Sequence, residues 1–193
     1  MPRRRSVAAL SAAAGGGLAG LGYYLTVTGK MTTDTGWGRR MRPLGPFSIQ
    51  VNAPAATVFD VIAAPYLDRT PRAMAGKLHV LERGTGMVLA EHYTPVLGGR
   101  LTATTLETVT FRRPDQVRFR LVRGPVPVVT EKFGLTERDG VSTLAYDGEL
   151  GTDFWSAGLW WGGQVAAIWE AAVRTSFENI KAEAERRARP DHG

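Results

Sequence analysis

Three glutamates lie within apolar stretches of this 193-residue chain and are the first candidates for acid–base chemistry. Glu91, Glu107 and Glu131 each alternate with apolar or aromatic residues at a period of two. Because every second side chain of a β-strand points to the same face of a sheet, we expect all three carboxyl groups to point into an apolar interior. Burial there would raise the pKa of a carboxyl group and suit it to general acid or base catalysis.

The same alternation places further polar and aromatic side chains beside these glutamates. With two tryptophans from the C-terminal part of the chain, the candidate cavity residues are Glu91, Tyr93, Glu107, Phe119, Arg123, Glu131, Phe133, Tyr146, Trp161 and Trp169. A few convergent polar groups in an apolar pocket are typical of a small-molecule site. The sequence therefore predicts a ligand cavity, and it leaves the catalytic residues unassigned.

Two alternatives to this cavity remain open. In the first, Arg123 pairs with one glutamate and the other polar groups lie near strand ends in water, since buried charges are usually paired. In the second, a one-residue bulge reverses the alternation and turns part of the set outward.

Trp155, Trp160 and Trp161 form either an aromatic lid over a ligand entrance or a patch that faces a membrane.

Composition excludes several other kinds of site. The chain has no cysteine, which removes disulfides, thiolate metal sites and cysteine nucleophiles. Its three histidines, at positions 79, 92 and 192, are isolated from one another, and the alternation places His92 opposite Glu91, on the outer face of the sheet. The glycine pairs fit hairpin turns, and no phosphate-binding loop is present. We therefore predict neither a metal ion nor a cofactor.

The net charge of +6 comes entirely from the N-terminal part of the chain. Residues 1–42 carry seven basic side chains and one acidic side chain, so the rest of the chain has seventeen of each. A nucleic-acid-binding protein of this pI would carry its basic side chains on the folded body. We therefore exclude nucleic acid as a partner.

Residues 6–29 contain no charged side chain. As a helix they would measure about 35 Å, enough to cross a hydrocarbon core of about 30 Å. We predict that residues 1–29 form a basic N-terminus and a single-pass anchor in the cell membrane. A cleaved export signal and a flexible Ala/Gly tail are the alternatives. Residues 30–46, rich in Thr, Gly and Pro, are predicted to be a linker, and residues 189–193 a polar tail.

Residues 47–188 have the pattern of an α+β domain. An alternating first strand at 47–51 is followed by a short helix and then by six further alternating runs between turn residues. These runs are 77–83, 87–96, 101–111, 117–123, 128–137 and 141–150. From Gln164 the apolar residues follow a helical period, and one long helix with a single apolar face must lie on the sheet.

The opening of this domain, IQVNAPAATVFDVI at residues 49–62, resembles the start of SRPBCC-superfamily domains. The segments TEKFGL at 130–135 and STLAY at 142–146 are also similar to that superfamily, which includes START-like and polyketide cyclase/dehydrase-like proteins. The resemblance covers residues 47–188. It implies a helix-grip fold, in which a seven-stranded antiparallel sheet wraps around a long C-terminal helix and leaves a cavity for a hydrophobic ligand.

Three functions are compatible with the resemblance, and each predicts a different interior of the protein. A membrane-tethered START-like domain that binds a hydrophobic small molecule or lipid predicts an enclosed apolar cavity with paired carboxylates. A polyketide cyclase/dehydrase-like enzyme predicts an unpaired glutamate near a tyrosine or arginine, with access to solvent. An interaction module predicts that bulky side chains fill the concave face. We expect the first, and we hold the enzyme as its alternative.

Overall fold

Seven antiparallel strands form a single sheet in the order β1-β7-β6-β5-β4-β3-β2. The structure is a computed structural model that describes residues 20–67, 74 and 76–189. Its strands are β1 (Arg40–Val51), β2 (Leu78–Gly84), β3 (Met87–Val96), β4 (Leu101–Arg112), β5 (Gln116–Arg123), β6 (Val128–Arg138) and β7 (Val141–Thr152). Its helices are α1 at residues 20–27, α2 (Ala55–Leu67) and α3 (Trp155–Ala188). The predicted α+β arrangement of seven strands and a long C-terminal helix is confirmed.

The six strands of the meander begin and end within two residues of their predicted limits. Strand β1 differs, because it begins at Arg40 and not at residue 47. A register shift between Leu44 and Phe47 interrupts its pairing with β7, and the glycine and prolines of this stretch hide the alternation in the sequence. The predicted linker at residues 30–46 is therefore wrong for its last seven residues, which belong to the sheet.

Helix α3 begins nine residues before the predicted start at Gln164. The sequence hides this start because glycine is a poor helix former. Here, however, two glycines let the helix approach the end of β7 closely. A Cβ atom at Gly158 would lie 1.7 Å from the carbonyl oxygen of Asp153, and one at Gly162 would lie 3.0 Å from the side chain of Thr152. The glycines therefore serve close packing and not a loop.

Helices α2 and α3 cover one face of the sheet, which we call the inner face. The buried side of α2 includes Val58, Phe59 and Ile62. From α3, Phe177 is buried with its ring 5.0 Å from that of Phe133 on β6. Large apolar side chains thus fill much of the space between the helices and the sheet, and they fix which strand faces are buried.

The segment before β1 is docked on the domain and is not a free tether. The rings of Tyr23 and Trp161 lie 6.2 Å apart, and Val27 and Thr28 are buried. The backbone N–H of Thr104, on β4, donates to the carbonyl of Thr28 at 3.2 Å. At Gly29 φ is +68°, and an added Cβ atom would lie 1.8 Å from the carbonyl oxygen of Thr104. The turn into the next residues therefore requires glycine.

The predicted membrane-spanning stretch, residues 6–29, falls largely on residues 1–19, which lie outside the described part of the chain. So do all but the first residue of the predicted polar tail at 189–193. Among the residues that the structure describes, no helix combines the length and the apolar character needed to cross a membrane.

A buried aspartate fastens residues 35–39 to the start of α3. Asp153 accepts hydrogen bonds from the backbone N–H groups of Thr35 and Gly36 and from the guanidinium of Arg39. Its residue is only 3% exposed, and the Arg39 hydrogen bond is the first of the contacts that hold the pKa of its carboxyl well below the usual range. The carboxylate is therefore an ionised structural bridge.

We expect the Asp153→Ala variant to lower the free energy of unfolding by about 2–4 kcal/mol at pH 7, because Arg39 and two N–H groups lose their acceptor. A depressed folded-state pKa gives stabilisation that is present above the unfolded value near 3.9 and lost as the pH falls. The difference from the native chain in urea unfolding should therefore shrink below about pH 4. In the control Asp147→Ala, which breaks an exposed pair with Lys132, the loss should stay below about 1 kcal/mol. Equal losses in the two variants would contradict the bridge.

Candidate functional site

Two of the three predicted glutamates lie on the inner face, one on β4 and one on β6. Glu107 is 4% exposed and Glu131 is 9% exposed. Strand β5 runs between them and contributes Phe119, which pairs with Glu131 in the sheet register. Neighbouring strands are about 4.8 Å apart, and the partners of the two glutamates on β5, Leu121 and Phe119, are two residues apart, so the two backbone positions are separated by about 12 Å. The sheet therefore brings two buried carboxyl groups to the same face, on either side of β5.

Glu131 is held by a tyrosine and a tryptophan. Its Oε2 atom accepts hydrogen bonds from the hydroxyl of Tyr146 at 2.8 Å and from the indole N–H of Trp169 at 2.7 Å. Tyr146 lies on β7 and Trp169 on α3, so this carboxyl joins the sheet to the long helix. Opposite Glu131 in the register is Gly148, where an added Cβ would lie 3.0 Å from the Cβ of Glu131.

Glu107 belongs to a second chain of polar contacts. Its Oε1 accepts a 2.5 Å hydrogen bond from the hydroxyl of Thr105, and its Oε2 lies 3.3 Å from Nδ1 of His92. The other ring nitrogen of His92 is 2.9 Å from the hydroxyl of Tyr66 on α2. We call Tyr66, His92, Glu107, Glu131 and Tyr146, together with Thr105 and Trp169, the carboxyl cluster.

The predicted position of His92 on the outer face is wrong. On β3 the buried residues are Val88, Ala90 and Val96, and His92 lies on the same face as these three. The opposite face carries Leu89 and Tyr93, which are equally apolar. Because both alternating sets of this strand are apolar, alternation alone does not decide which one is buried. The packing of α2, which brings Tyr66 to His92, decides it.

Three predicted cavity residues lie on the outer face instead. Between Glu107 and Leu106 the register of β4 with β5 shifts, so that Leu106 pairs with Arg123 while Glu107 pairs with Leu121. Val122 is thus the extra residue of a bulge, and Arg123 is turned outward. There it lies 3.2 Å from Glu91, which also accepts a 2.6 Å hydrogen bond from Tyr93. The bulge explains the position of Arg123, whereas Glu91 and Tyr93 lie on the face of β3 opposite His92.

The remaining predicted residues are on the inner face or at its end. Phe119 and Phe133 are buried, with ring centres 4.9 Å apart. Trp161 is half-buried at the start of α3 and donates its indole N–H to the carbonyl of Pro125. The sequence missed Tyr66, His92 and Thr105. Their signal is weak, because Tyr66 follows Pro65, a residue type that commonly ends a helix, and Thr105 stands in a run of threonines. No trio of His, Asp or Glu among the described residues could hold a metal ion.

Comparison with solved structures shows which fold this is. The aromatase/cyclase Zhui from Streptomyces sp. R1128 superposes with a TM-score of 0.66 at 18% identity, over 80% of this chain and 99% of that one. The di-domain aromatase/cyclase StfQ of the steffimycin pathway matches with a TM-score of 0.59 at 15% identity, and truncated norcoclaurine synthase from Thalictrum flavum with 0.54 at 12%. This is the helix-grip fold. The fold that the resemblance to the SRPBCC superfamily implied is therefore confirmed.

The matches differ in how much of each chain they cover. The match to norcoclaurine synthase covers 81% of this chain and 98% of that one. The match to StfQ covers 78% of this chain and 52% of that one, which is one of two domains. No protein-family model and no curated protein sequence matches the chain.

Burial makes the carboxyl cluster of the helix-grip domain largely uncharged. It raises the pKa of Glu107 to about 7, against the lowering effect of the Thr105 hydrogen bond. Burial and the nearby Glu107 raise the pKa of Glu131 to about 8. Burial lowers the pKa of His92 to about 4, and burial and the two carboxylates raise that of Tyr66. The His92–Glu107 distance would suit an ion pair, but burial disfavours the charged form of both groups.

A groove on the helix-grip domain runs between α3 and the end of β3. Its volume is about 450 Å³, and small residues of α3, among them Ala167, Ala171 and Ala172, form one wall. Thr94 lies on the other wall, two residues after His92 on the same strand. The wall of the groove at Thr94 is therefore about 7 Å along the strand from His92 of the carboxyl cluster.

We expect the free energy of unfolding to fall as the pH rises from about 5 to about 8. Carboxyl groups with raised folded-state pKa values keep protons that the unfolded chain releases near pH 4.3, and each contributes up to about 1.4 kcal/mol per pH unit. In Glu131→Gln this dependence should be shallower, because glutamine keeps the acceptor for Tyr146 and Trp169 without titrating.

Urea unfolding at pH 5, 6, 7 and 8 measures this slope. Glu149→Gln, a change to an exposed carboxyl on β7, is the matched control and should keep the native slope. A native slope in Glu131→Gln would show that this carboxyl does not titrate in the raised range.

Proposed function

We propose that this helix-grip domain binds a hydrophobic small molecule or lipid that carries carbonyl or hydroxyl oxygens. The observation behind the proposal is the pair of buried carboxyl groups, Glu107 and Glu131. Among the described residues, no lysine or arginine forms a salt bridge with either of them. Carboxyls that served stability alone would be expected to have a cationic partner, because an unpaired buried charge is costly.

The protonation state of the cluster favours such a ligand. A protonated carboxyl group has one O–H donor and still accepts hydrogen bonds, so it can bind a ligand oxygen without placing a charge in an apolar site. Phe119, Phe133 and Phe177 surround the cluster with apolar surface. The site thus offers a few polar groups within an aromatic wall, which is the usual form of a small-molecule site.

A cyclase-like enzyme is the second candidate function. The names of two similar structures, the Zhui and StfQ aromatase/cyclases, support it, although at 18% and 15% identity they share only the fold with this chain. The specific observation in its favour is that an acid with a raised pKa, Glu131, and a base with a lowered pKa, His92, lie on the same face of the sheet. Glu131 in its protonated form could protonate the oxygen of one ketone of a poly-ketone ligand. Neutral His92 could accept a proton from a methylene carbon elsewhere in the same ligand, and that carbon would then bond to the carbonyl carbon of the protonated ketone. The new carbon–carbon bond would leave a hydroxyl group, which a dehydration step then removes as water.

We further propose that the N-terminal segment places the domain at a membrane, as a single-pass anchor or, alternatively, as an export signal before cleavage. Its uncharged stretch at residues 6–29 supports this. The contacts of Tyr23 and Val27 with the domain leave residues 6–19 for the lipid, at most about 21 Å of helix. A full span then requires that α1 detach or that the bilayer thin locally. Vesicle binding by the full chain is the measurement that tests this membrane contact.

Emodin, a three-ring quinone with hydroxyl groups, is a suitable probe for the binding proposal, and anthracene is its matched control without oxygens. We expect emodin to quench the tryptophan fluorescence of the native chain saturably and with higher affinity than anthracene. Ala171→Trp, which fills the groove, should weaken emodin binding by about tenfold or more. Ala182→Trp places the same side chain at another exposed alanine of α3 and should not change it.

Two results would contradict the binding proposal. Failure of the native chain to bind emodin would contradict the proposal of an oxygen-bearing ligand. Equal affinities of the two tryptophan variants for emodin would contradict the proposal that the ligand enters through the groove.

The enzyme candidate predicts chemical conversion in addition to binding. A linear poly-β-ketone thioester incubated with the native chain should give a cyclised product by mass-resolved chromatography. Glu131→Gln should lower the rate by about 10²-fold or more, as expected for a general acid, while the affinity for emodin stays within about threefold. Glu149→Gln should convert at the native rate. Binding without conversion by the native chain would leave only the ligand-binding function.

A further inference from the structure

Large apolar side chains are exposed around the start of α3. Trp37 is 65% exposed and Trp160 is 68% exposed, while Phe154, Trp155 and Leu159 are each more than 40% exposed. We call these five residues the aromatic patch. Tryptophan is highly buried on average in proteins, and a contiguous exposed apolar surface marks a site of interaction.

The backbone holds the aromatic patch outward. The N–H groups of Phe154 and Trp155 donate to the carbonyls of Trp37 and Gly38, at 2.8 and 3.0 Å. The ring of Trp37 lies 4.9 Å from that of Trp155 and 6.5 Å from that of Phe154. Phe154 and Trp155 have φ values of 70° and 48°, in the left-handed region that bulky residues rarely adopt. The patch is therefore a built surface and not the frayed end of a helix.

Three basic side chains accompany the aromatic patch without a carboxylate partner. Among the described residues, no salt bridge includes Lys30, Arg40 or Arg42, whereas Arg39 between them is bound by Asp34 and Asp153. The Nε atom of Arg42 is buried without a hydrogen-bond partner. Its guanidinium lies beside Gly163 on α3, three residues after Trp160. Positive charge and exposed aromatic rings therefore occupy the same end of the domain.

We propose that the aromatic patch docks on the surface of an anionic lipid bilayer. Tryptophan and tyrosine prefer the interface between headgroups and hydrocarbon, where an apolar ring and a polar N–H or O–H are both accommodated. Unpaired lysine and arginine side chains near that plane attract anionic headgroups. An anionic protein partner is less well matched, because the tryptophans of the patch combine an apolar ring with a polar N–H group, the combination that suits the headgroup interface.

The path of the chain supports a lipid partner. Described structure begins at Gly20, and Tyr23 and Tyr24 of α1 are exposed at the end of the domain where Tyr23 meets Trp161, the residue after Trp160. The residues before Gly20 carry three arginines and an uncharged stretch from residue 6 onward. The sequence outside the described structure thus has the same combination of basic and apolar groups, and it joins the domain at the aromatic patch.

Co-sedimentation of the full-length chain with vesicles tests this docking. The vesicles contain phosphatidylcholine alone or with about 30% phosphatidylserine, at low and high salt. We expect tighter binding to the anionic vesicles, with a loss at high salt. The Trp37→Ser/Trp160→Ser double variant, and Trp160→Ser alone in case the double variant is unstable, should weaken binding by about tenfold. Lys30→Glu/Arg40→Glu should remove the preference for phosphatidylserine.

Leu81→Ser/Met87→Ser is the matched control, because it removes two exposed apolar side chains from the β2–β3 hairpin. It should bind the vesicles as the native chain does. Native affinity in Trp160→Ser and in the double variant would overturn the proposal, because the binding would then belong to residues 1–19. Lack of binding by the native chain would also overturn it. So would dimerisation that the Trp160→Ser change abolishes in the absence of lipid, since the patch would then bind a second copy.

Discussion

The removal of two carboxyl groups from water is the constraint on which the interior of this domain depends. Glu107 and Glu131 are buried on one face of the sheet, and their mutual repulsion adds to the cost of ionising either one. Uncharged groups donate hydrogen bonds to both carboxyl groups: Thr105 donates to Glu107, and Tyr146 and Trp169 donate to Glu131. Because no described cation compensates the pair, the site favours protonated carboxyls and remains able to bind an uncharged polar group.

This arrangement also links function to architecture. Trp169 is the only indole that reaches the cluster from the long helix among the described residues, so the position of α3 over the sheet and the hydrogen bonds of Glu131 depend on one another. A ligand oxygen that competed for Glu131 would act on the contact between α3 and β6. The groove along α3 lies close to the same turn of the helix.

The alternation of apolar and polar residues predicted the sheet well, because its period of two is the same in every strand whatever the neighbouring strands are. Turn residues also mark each hairpin. Alternation identified Glu107, Glu131 and Tyr146, whose strands have one clearly apolar face. It failed where a second interaction chose the face: the bulge at Val122 turned Arg123 outward, and Tyr66 of α2 selected the face of β3 that carries His92. It also failed at Gly158 and Gly162, since close packing against β7 outweighs their low helix propensity.

The charge distribution of the chain becomes understandable when these parts are considered together. Four of the seven basic side chains of residues 1–42 belong to the described part of the chain, at positions 30, 39, 40 and 42. They do not belong to a detached tether, because residues 27–39 are bound to β4 and to Asp153 and residues 40 and 42 are part of β1. Ala167, on the wall of the groove, follows Trp160 by seven residues, about 10 Å along the helix. A domain docked through the aromatic patch would hold the groove close to the headgroups, where a lipophilic ligand is most concentrated, and the neutral carboxyl cluster would then lie on the route from the bilayer into the protein.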